Sequence, residues 1–163
     1  MLASGKESDF FIDCKQTVLT AEGHALVGEL MFEALAAFGE VDAVAGVELG
    51  GCPLAAAVSH FSFLRGAPKD ALYVRKDAKD HGTKKLVEND RSVRPGLRVV
   101  VLEDVVTSGG STLKAVEKLV AVGARVVGVV AVVDRQEGGA ETLREAGLPM
   151  VALSNKSDFI SEG

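Results

Sequence analysis

Two runs of apolar residues constrain the fold of this chain more than any other feature. Residues 126–133 are wholly apolar, residues 97–102 are nearly so, and valine dominates both runs. Neither run alternates between apolar and polar residues, which is typical of a strand buried on both faces of a parallel sheet. Apolar residues at helical spacing over 113–120 indicate a helix between the two strands. The sequence therefore predicts an α/β fold with a mostly parallel central sheet flanked by helices.

The rest of the chain continues this alternation of strand and helix. Further strands are predicted over 10–14, 43–47, 71–74 and 150–153, and further helices over 22–38, 54–64 and 141–146. No internal repeat or linker interrupts the 163 residues, so a single domain over 1–163 is expected.

Composition excludes several classes of protein. Hydrophobic residues make up 47% and charged residues 25% of the chain, a balance typical of globular proteins and unlike that of disordered chains. The longest apolar run is far shorter than the roughly 20 residues of a membrane-spanning helix, and the N-terminus lacks the pattern of a secretory leader. Two cysteines are too few for a disulfide framework or a zinc site, so a cytoplasmic protein without a membrane partner is expected. The absence of Trp and the single Tyr argue against a nucleic-acid partner.

One segment of the chain is basic although the whole chain carries a net charge of −5. Residues 75–95 contain seven basic and four acidic side chains, a net charge of +3, which leaves −8 for the rest. Such a local excess suggests a binding site for an anion, although a solvated charged loop has the same composition. About 20 residues with little apolar periodicity are long for a connector, so a mobile basic loop that acts as a lid is expected.

The strongest chemical signal is a strand, a turn and a helix start over residues 99–112. The strand delivers Glu103 and Asp104 to its carboxyl end, where ligands of open α/β sheets bind. The N–H groups of residues 108–112 can converge on a phosphate at the start of the helix, and Gly109 and Gly110 allow a close approach. The two carboxylates are placed to accept hydrogen bonds from sugar hydroxyls or to hold a divalent cation. A tight turn with a capping serine is the structural alternative.

Several segments together resemble one family. Residues 103–111, Glu-Asp-Val-Val-Thr-Ser-Gly-Gly-Ser, closely resemble the phosphoribosyl-pyrophosphate (PRPP) motif of type I phosphoribosyltransferases. The segments 4–11, 75–82 and 133–139 resemble, in the same order, those of orotate phosphoribosyltransferases. The resemblance runs from residue 2 to about residue 153. It implies a type I phosphoribosyltransferase-like fold and the conversion of orotate and PRPP to orotidine 5′-monophosphate and pyrophosphate with Mg²⁺, in pyrimidine synthesis. It also implies a homodimer with shared active sites, in which the basic loop of one subunit closes over the site of the other.

The resemblance also implies roles for individual residues. Lys79 and Asp104 would be catalytic, and the metal would be held mainly through PRPP and not by the protein. Orotate would be bound by Phe11, Ile12, Thr107 and Arg135. PRPP would be bound by Arg75, Lys76, Lys79, His81, Glu103, Asp104, Val105, Val106, Thr107, Ser108, Gly109, Gly110 and Ser111. From the residues alone, an ion pair of Arg135 with Asp134 or Glu137 and a surface position for His81 remain open.

The sequence departs from the family pattern at three places. Many members carry Lys where this chain has Ala3, and many carry Tyr-Lys where it has Leu49-Gly50. A helix that usually precedes the Ser4-Gly5 segment is apparently missing. The loss of two cations would weaken PRPP binding or shift the load to the basic segment. A transferase that acts on a purine or other base and a non-catalytic nucleotide-binding regulator of the same fold are the alternatives.

Overall fold

The structure is a computed structural model, and it describes residues 11–76 and 85–160. Six strands form one sheet: β1 (Ala43–Val47), β2 (Asp70–Val74), β3 (Val87–Glu88), β4 (Arg98–Val106), β5 (Arg125–Asp134) and β6 (Met150–Asn155). The helices are α1 (Lys15–Val18), α2 (Ala21–Ala34), α3 (Gly51–Leu64), α4 (Gly110–Ala121) and α5 (Gly139–Glu145). Three 3₁₀ turns cover Leu35–Phe38, Asp90–Ser92 and Lys156–Asp158. None of the helices in these two ranges has the length and apolar content that crossing a membrane requires.

The strand order is β3-β2-β1-β4-β5-β6, and every pair is parallel except β2 with β3. From β1 the chain adds β2 and β3 on one side, then crosses to add β4, β5 and β6 on the other. The order therefore reverses between β1 and β4. In open α/β sheets, the carboxyl ends of two such strands border the crevice in which ligands bind.

Helices cover both faces of the sheet, as the two apolar runs predict. Val99 and Val101 of β4 pack on one face in a core that includes Leu119 of α4. Val100 and Leu102 pack on the other face, in a core built with α2 and α3. All four β4 side chains are 0% exposed, so the non-alternating run is explained by burial on both sides.

The strand predicted over 10–14 is wrong for the part that the structure describes. Residues 11–13 have no regular structure, and Cys14 immediately precedes α1. The Asp13 carboxylate accepts a hydrogen bond from the Lys15 N–H at 3.1 Å, and the Val18 N–H donates to the Cys14 carbonyl at 2.8 Å. These local bonds start a helical turn where an extended chain was expected.

Part of the basic segment, which was expected to be a mobile loop, has regular structure. Val87 and Glu88 pair with the end of β2 as an antiparallel edge strand, and Val87 is 1% exposed. Arg94 forms an ion pair with Asp42 at 3.4 Å. Residues 87–88 therefore form the edge of the sheet, and Arg94 is held to the residue that precedes β1. The part of the predicted mobile loop over 77–84 lies outside the described residues.

Candidate functional site

A cavity of about 300 Å³ lies at the reversal of strand order, beside the carboxyl ends of β1 and β4. Polar groups from four parts of the chain meet there: the start of α1, the loop after β1, the residues after β2, and the end of β4 with the start of α4. The lining residues are Lys15, Val47, Glu48, Leu49, Gly50, Lys76, Glu103, Asp104, Val105 and Ser111. The position is the one that the sequence predicts for a bound anion.

The turn after β4 opens α4, and Ser111 in the first turn of that helix lines the cavity, whereas residues 107–110 do not. Gly109 has a φ of +79°, a left-handed conformation that favours glycine, and it directly precedes Gly110, the first residue of α4. The first N–H groups of a helix have no partner within the helix, so those of the first turn of α4 are free to meet an anion. Ser108, Gly110 and Ser111 are exposed, which leaves the turn open to a ligand.

The two carboxylates at the end of β4 have different environments. Glu103 is 5% exposed, and the Thr112 hydroxyl donates to its Oε1 at 2.8 Å. Burial raises the pKa of Glu103 to about 7, the neighbouring Asp104 charge adds to the rise, and the Thr112 bond opposes it. Asp104 is half-buried and accepts a hydrogen bond from the Val105 N–H at 2.9 Å. Asp104 is therefore the more accessible of the two carboxylates.

Gly50 makes room for the Asp104 carboxylate. A Cβ at position 50 would lie 2.0 Å from Asp104 Oδ2, closer than real atoms approach. The Asp104 side chain thus occupies the space that a side chain at position 50 would take. The departure at Leu49-Gly50 is consequently coupled to the position of the acid at the site.

Two lysines line the cavity, and only one of them was predicted. Lys76 follows β2, and its N–H donates to Glu48 Oε2 at 3.0 Å. Lys15 stands at the start of α1, where its Nζ pairs with Asp13 Oδ1 at 2.7 Å, a bond that raises the pKa of Lys15. No pattern in the sequence marks Lys15, because the four-residue helix that it starts is too short to show an apolar period. Lys15 supplies a cation to the cavity that Gly50 also lines, whereas Ala3 lies outside the described residues.

Arg75 is near the site but faces Glu88. Its side-chain Nη1 lies 3.2 Å from Glu88 Oε1, and its backbone N–H donates to the Leu86 carbonyl at 2.9 Å. Arg75 is not among the residues that line the cavity. The other two residues of the predicted PRPP-binding loop, Lys79 and His81, lie outside the described residues.

Cys14 packs against the end of β4 and lines the apolar cavity next to the site. Its thiol lies 3.7 Å from the Asp104 carbonyl oxygen, and burial raises the pKa of Cys14 to about 11. The nearby Asp104 and Asp13 charges add to this rise. The thiol therefore stays protonated near neutral pH and packs as a small apolar group.

The residues expected to bind orotate are only partly brought together. Thr107 follows β4 and Arg135 follows the adjacent β5, and the Arg135 N–H donates to the Val106 carbonyl at 3.0 Å. Arg135 is 4% exposed and forms an ion pair with Glu137 at 2.7 Å, one of the alternatives that the sequence leaves open. Ile12 lines a second, apolar cavity of about 380 Å³. Phe11 is 84% exposed and lines neither cavity.

The residues at the cavity fit a magnesium ion that a substrate carries. Mg²⁺ prefers oxygen ligands, retains several waters, and is commonly held by one or two carboxylates together with substrate phosphates. Over residues 11–76 and 85–160, no group of three acidic, histidine or cysteine side chains is arranged to hold a metal. Glu48, Glu103 and Asp104 line the cavity, and Glu48 and Asp104 are the less buried carboxylates that such an ion would meet.

Comparison with known proteins extends these observations. A family profile described as the phosphoribosyl transferase domain matches residues 17–146. A protein of Sorangium cellulosum named orotate phosphoribosyltransferase is 70% identical over 162 residues, covering 99% of this chain and 84% of that protein. The solved orotate phosphoribosyltransferase of Mycobacterium tuberculosis in complex with Fe(III) dicitrate is 41% identical, with a TM-score of 0.81, covering 96% of this chain and 86% of that one. A structure of the Mycobacterium tuberculosis protein with PRPP is 38% identical, with a TM-score of 0.79, covering 91% and 82% of the two chains.

Proposed function

We propose that the chain transfers the 5-phosphoribosyl group of PRPP to orotate, because it belongs to the orotate phosphoribosyltransferase family. The expected type I phosphoribosyltransferase-like fold is confirmed by the solved structures to which the chain is similar. The reaction gives orotidine 5′-monophosphate and pyrophosphate in pyrimidine synthesis. The observation that carries the proposal is the cavity at the reversal of strand order, where Ser111 at the end of the phosphate turn, the Asp104 carboxylate and two lysines meet.

The turn at residues 107–111 is proposed to hold the 5-phosphate of the ribose. Its support is the open first turn of α4, where free N–H groups and the positive end of the helix dipole favour an anion. Ser108 and Ser111 add hydroxyl donors, and Val105 and Val106 form the strand end that leads into the turn. A phosphate held here places the ribose ring beside the end of β4.

Asp104 is proposed to act on the ribose. In the transfer, the bond from C1 of the ribose to the diphosphate oxygen breaks, and its electron pair goes to the leaving diphosphate. Orotate N1 forms the new bond to C1 and gives up its proton, which the released pyrophosphate takes up. The sugar becomes positively charged between these events, and a nearby carboxylate stabilises that charge more than it stabilises the neutral ground state. Glu103 is bonded to Thr112, so we assign it to supporting the strand end and the ribose hydroxyls.

The leaving diphosphate is proposed to meet the basic residues. Lys76 and Lys15 line the cavity, and Arg75 follows β2 next to Lys76. By resemblance, Lys79 and His81 from the loop of the other subunit complete this set, with Lys79 as the catalytic cation. When bound with PRPP, Mg²⁺ would further compensate the charge that develops on the diphosphate.

Thr107 and Arg135 are proposed to bind orotate at the ends of β4 and β5. A guanidinium matches a carboxylate with two parallel hydrogen bonds, so the orotate carboxylate would compete with Glu137 for Arg135. Ile12 and Phe11 are proposed to line the base pocket from the segment before α1. Ile12 shares its cavity with Val132 and Val133 of β5, the strand that leads to Arg135.

We further propose a single domain over 1–163 that works in the cytoplasm as a homodimer with shared active sites. If the basic loop of one subunit serves the other, a Lys79→Ala chain still has a sound phosphate turn and an Asp104→Asn chain still has a sound loop. Equal mixing of the two inactive variants, after demonstrated subunit exchange, should restore about a quarter of the wild-type activity. No recovery despite exchange would show that the loop serves its own subunit.

The loss of orotate absorbance on mixing the protein with PRPP and Mg²⁺ tests the reaction. Orotate should be consumed and pyrophosphate released in equal amounts. Adenine, hypoxanthine and uracil serve as controls, and turnover of one of them without turnover of orotate would establish the other-base alternative. Binding of PRPP without turnover of any base would establish a non-catalytic regulator.

A further inference from the structure

The two residues that follow β2 are held by contacts from three directions. The Arg75 N–H donates to the Leu86 carbonyl at 2.9 Å, and the Lys76 N–H donates to Glu48 Oε2 at 3.0 Å. Their two carbonyls accept from a single group, the ammonium of Lys118, at 2.8 Å and 2.7 Å. The backbone at residues 75–76 therefore has hydrogen-bond partners on both its donor and its acceptor sides.

Lys118 belongs to the helix that begins at the phosphate turn. Ser111 lies in the first turn of α4 and lines the cavity, and Lys118 lies seven residues later in the last turn. Seven residues make about two helical turns, so the two side chains project from the same face about 10 Å apart along the axis. One rigid helix thus connects the turn proposed for the 5-phosphate with the residues proposed for the diphosphate.

The contacts of Lys118 are unusual for a helix-terminal lysine. A lysine in the last turn commonly interacts with the carbonyls of its own helix or with solvent. Lys118 instead reaches two carbonyls of another segment, and the side chains of that segment, Arg75 and Lys76, carry the same charge as its own. Attraction between opposite charges therefore does not explain why Lys118 lies here. Its two hydrogen bonds fix the backbone of residues 75–76, which does explain it.

We infer that Lys118 is a positioning residue for PRPP, which holds the backbone of Arg75 and Lys76 so that the Lys76 side chain faces the cavity. This inference rests on the proposed function. Without the ammonium, the two carbonyls lose their shared partner, and the Lys76 side chain has more conformations to lose when PRPP binds. The effect should fall on PRPP and not on orotate, because Thr107 and Arg135 lie at the ends of β4 and β5.

Steady-state kinetics of Lys118→Met and Lys118→Gln test this role, with Lys114→Met as the matched control. Lys114 is exposed one turn earlier on α4, and within the described residues its side chain makes no hydrogen bond. We expect the Lys118 variants to raise the PRPP KM about tenfold, equal to about 1.4 kcal/mol, and to leave the orotate KM within about twofold. Lys114→Met should leave the PRPP KM and the orotate KM within about twofold of the wild-type values. An equal rise for Lys114→Met would show a general charge effect and overturn the inference.

A double-mutant cycle separates positioning from a contact of Lys118 with PRPP itself. If Lys118 acts through Lys76, adding Lys118→Met to Lys76→Ala should change the PRPP KM by less than about threefold. A further tenfold rise in that background would overturn the inference. Melting temperatures identify a variant that fails to fold, and the Gln variant then carries the test.

Direct calorimetric titration with PRPP and Mg²⁺ keeps this test independent of the proposed reaction. If the wild-type protein binds PRPP but does not consume orotate, the proposed function fails, while the same tenfold difference in PRPP Kd still supports Lys118. If the wild-type protein turns over orotate and Lys118→Met has the wild-type PRPP Kd, the proposed function stands and the inference about Lys118 fails.

Discussion

Replacing Glu103 with Gln should make the protein more stable at high pH. Glu103 is 5% exposed at the end of β4, and its folded-state pKa of about 7 lies above the ordinary value of 4.5 because burial disfavours the charged form. The folded protein therefore binds this proton more tightly than the unfolded chain does. The stabilisation from the neutral carboxyl is complete below pH 4.5 and is lost as the pH rises to about 7.

The size of the effect follows from these two pKa values. Each pH unit between them corresponds to about 1.4 kcal/mol, so the ionised carboxylate costs about 3 kcal/mol of stability above pH 7. Between pH 5 and pH 8, the wild-type protein should lose about 2.5 kcal/mol through this group. Glutamine stays neutral and retains an oxygen that accepts from Thr112, so the Glu103→Gln protein should not lose it.

Urea unfolding of both proteins at equal concentration, without substrates, measures the difference in unfolding free energy from pH 5 to pH 8. That difference should grow by about 2.5 kcal/mol in favour of Glu103→Gln, mostly below pH 7. Glu117→Gln, which removes an exposed carboxylate of α4, is the control and should give a flat difference. A difference for Glu103→Gln that is equal at pH 5 and pH 8 would refute the reasoning, because it would mean that the folded protein ionises Glu103 as easily as the unfolded chain.

Three further substitutions test the site. Asp104→Asn should lower kcat on the order of a hundredfold with an unchanged melting temperature, and near-wild-type turnover would remove Asp104 from the mechanism. Arg135→Lys should raise the orotate KM on the order of tenfold more than the PRPP KM, since a single ammonium replaces a guanidinium that can donate two parallel hydrogen bonds. An equal change in the two KM values would assign Arg135 to its ion pair with Glu137. Gly50→Ala should reduce turnover with little loss of stability, because the new Cβ displaces the flexible end of Asp104. Wild-type turnover in that variant, measured by orotate absorbance, would contradict the position assigned to the carboxylate.

The central strands could be predicted from the sequence because nearly all of their residues are apolar, which indicates burial on both faces. A run of valines without alternation is stable only when both faces are covered, and β4 and β5 are covered in this way. The phosphate turn was equally readable, since strand end, glycines and helix start are contiguous. The sequence did not predict β3, because a strand of two residues is too short to show alternation of apolar and polar side chains. Its two residues form a strand only by pairing with β2.

The parts of the site that could not be predicted depend on contacts between distant segments. Lys15 reaches the cavity because Asp13 starts a helical turn, an event that depends on local hydrogen bonds and not on apolar pattern. Glu103 and Asp104 are adjacent in sequence, and only the packing of Thr112 over one of them distinguishes the two acids. The contact of Lys118 with residues 75–76 spans more than 40 positions and leaves no trace in either segment.

The burial of β4 on both faces also determines how the site can move. Amide protons of such a central strand exchange with deuterated solvent only when the whole protein opens, whereas peripheral segments exchange through small local openings. The N–H groups of residues 99–102, paired on both sides, should therefore be among the slowest to exchange. Asp104 stands two residues beyond this slow-exchanging stretch. Its backbone is therefore a fixed reference, and a bound substrate must adjust to the carboxylate at the end of β4.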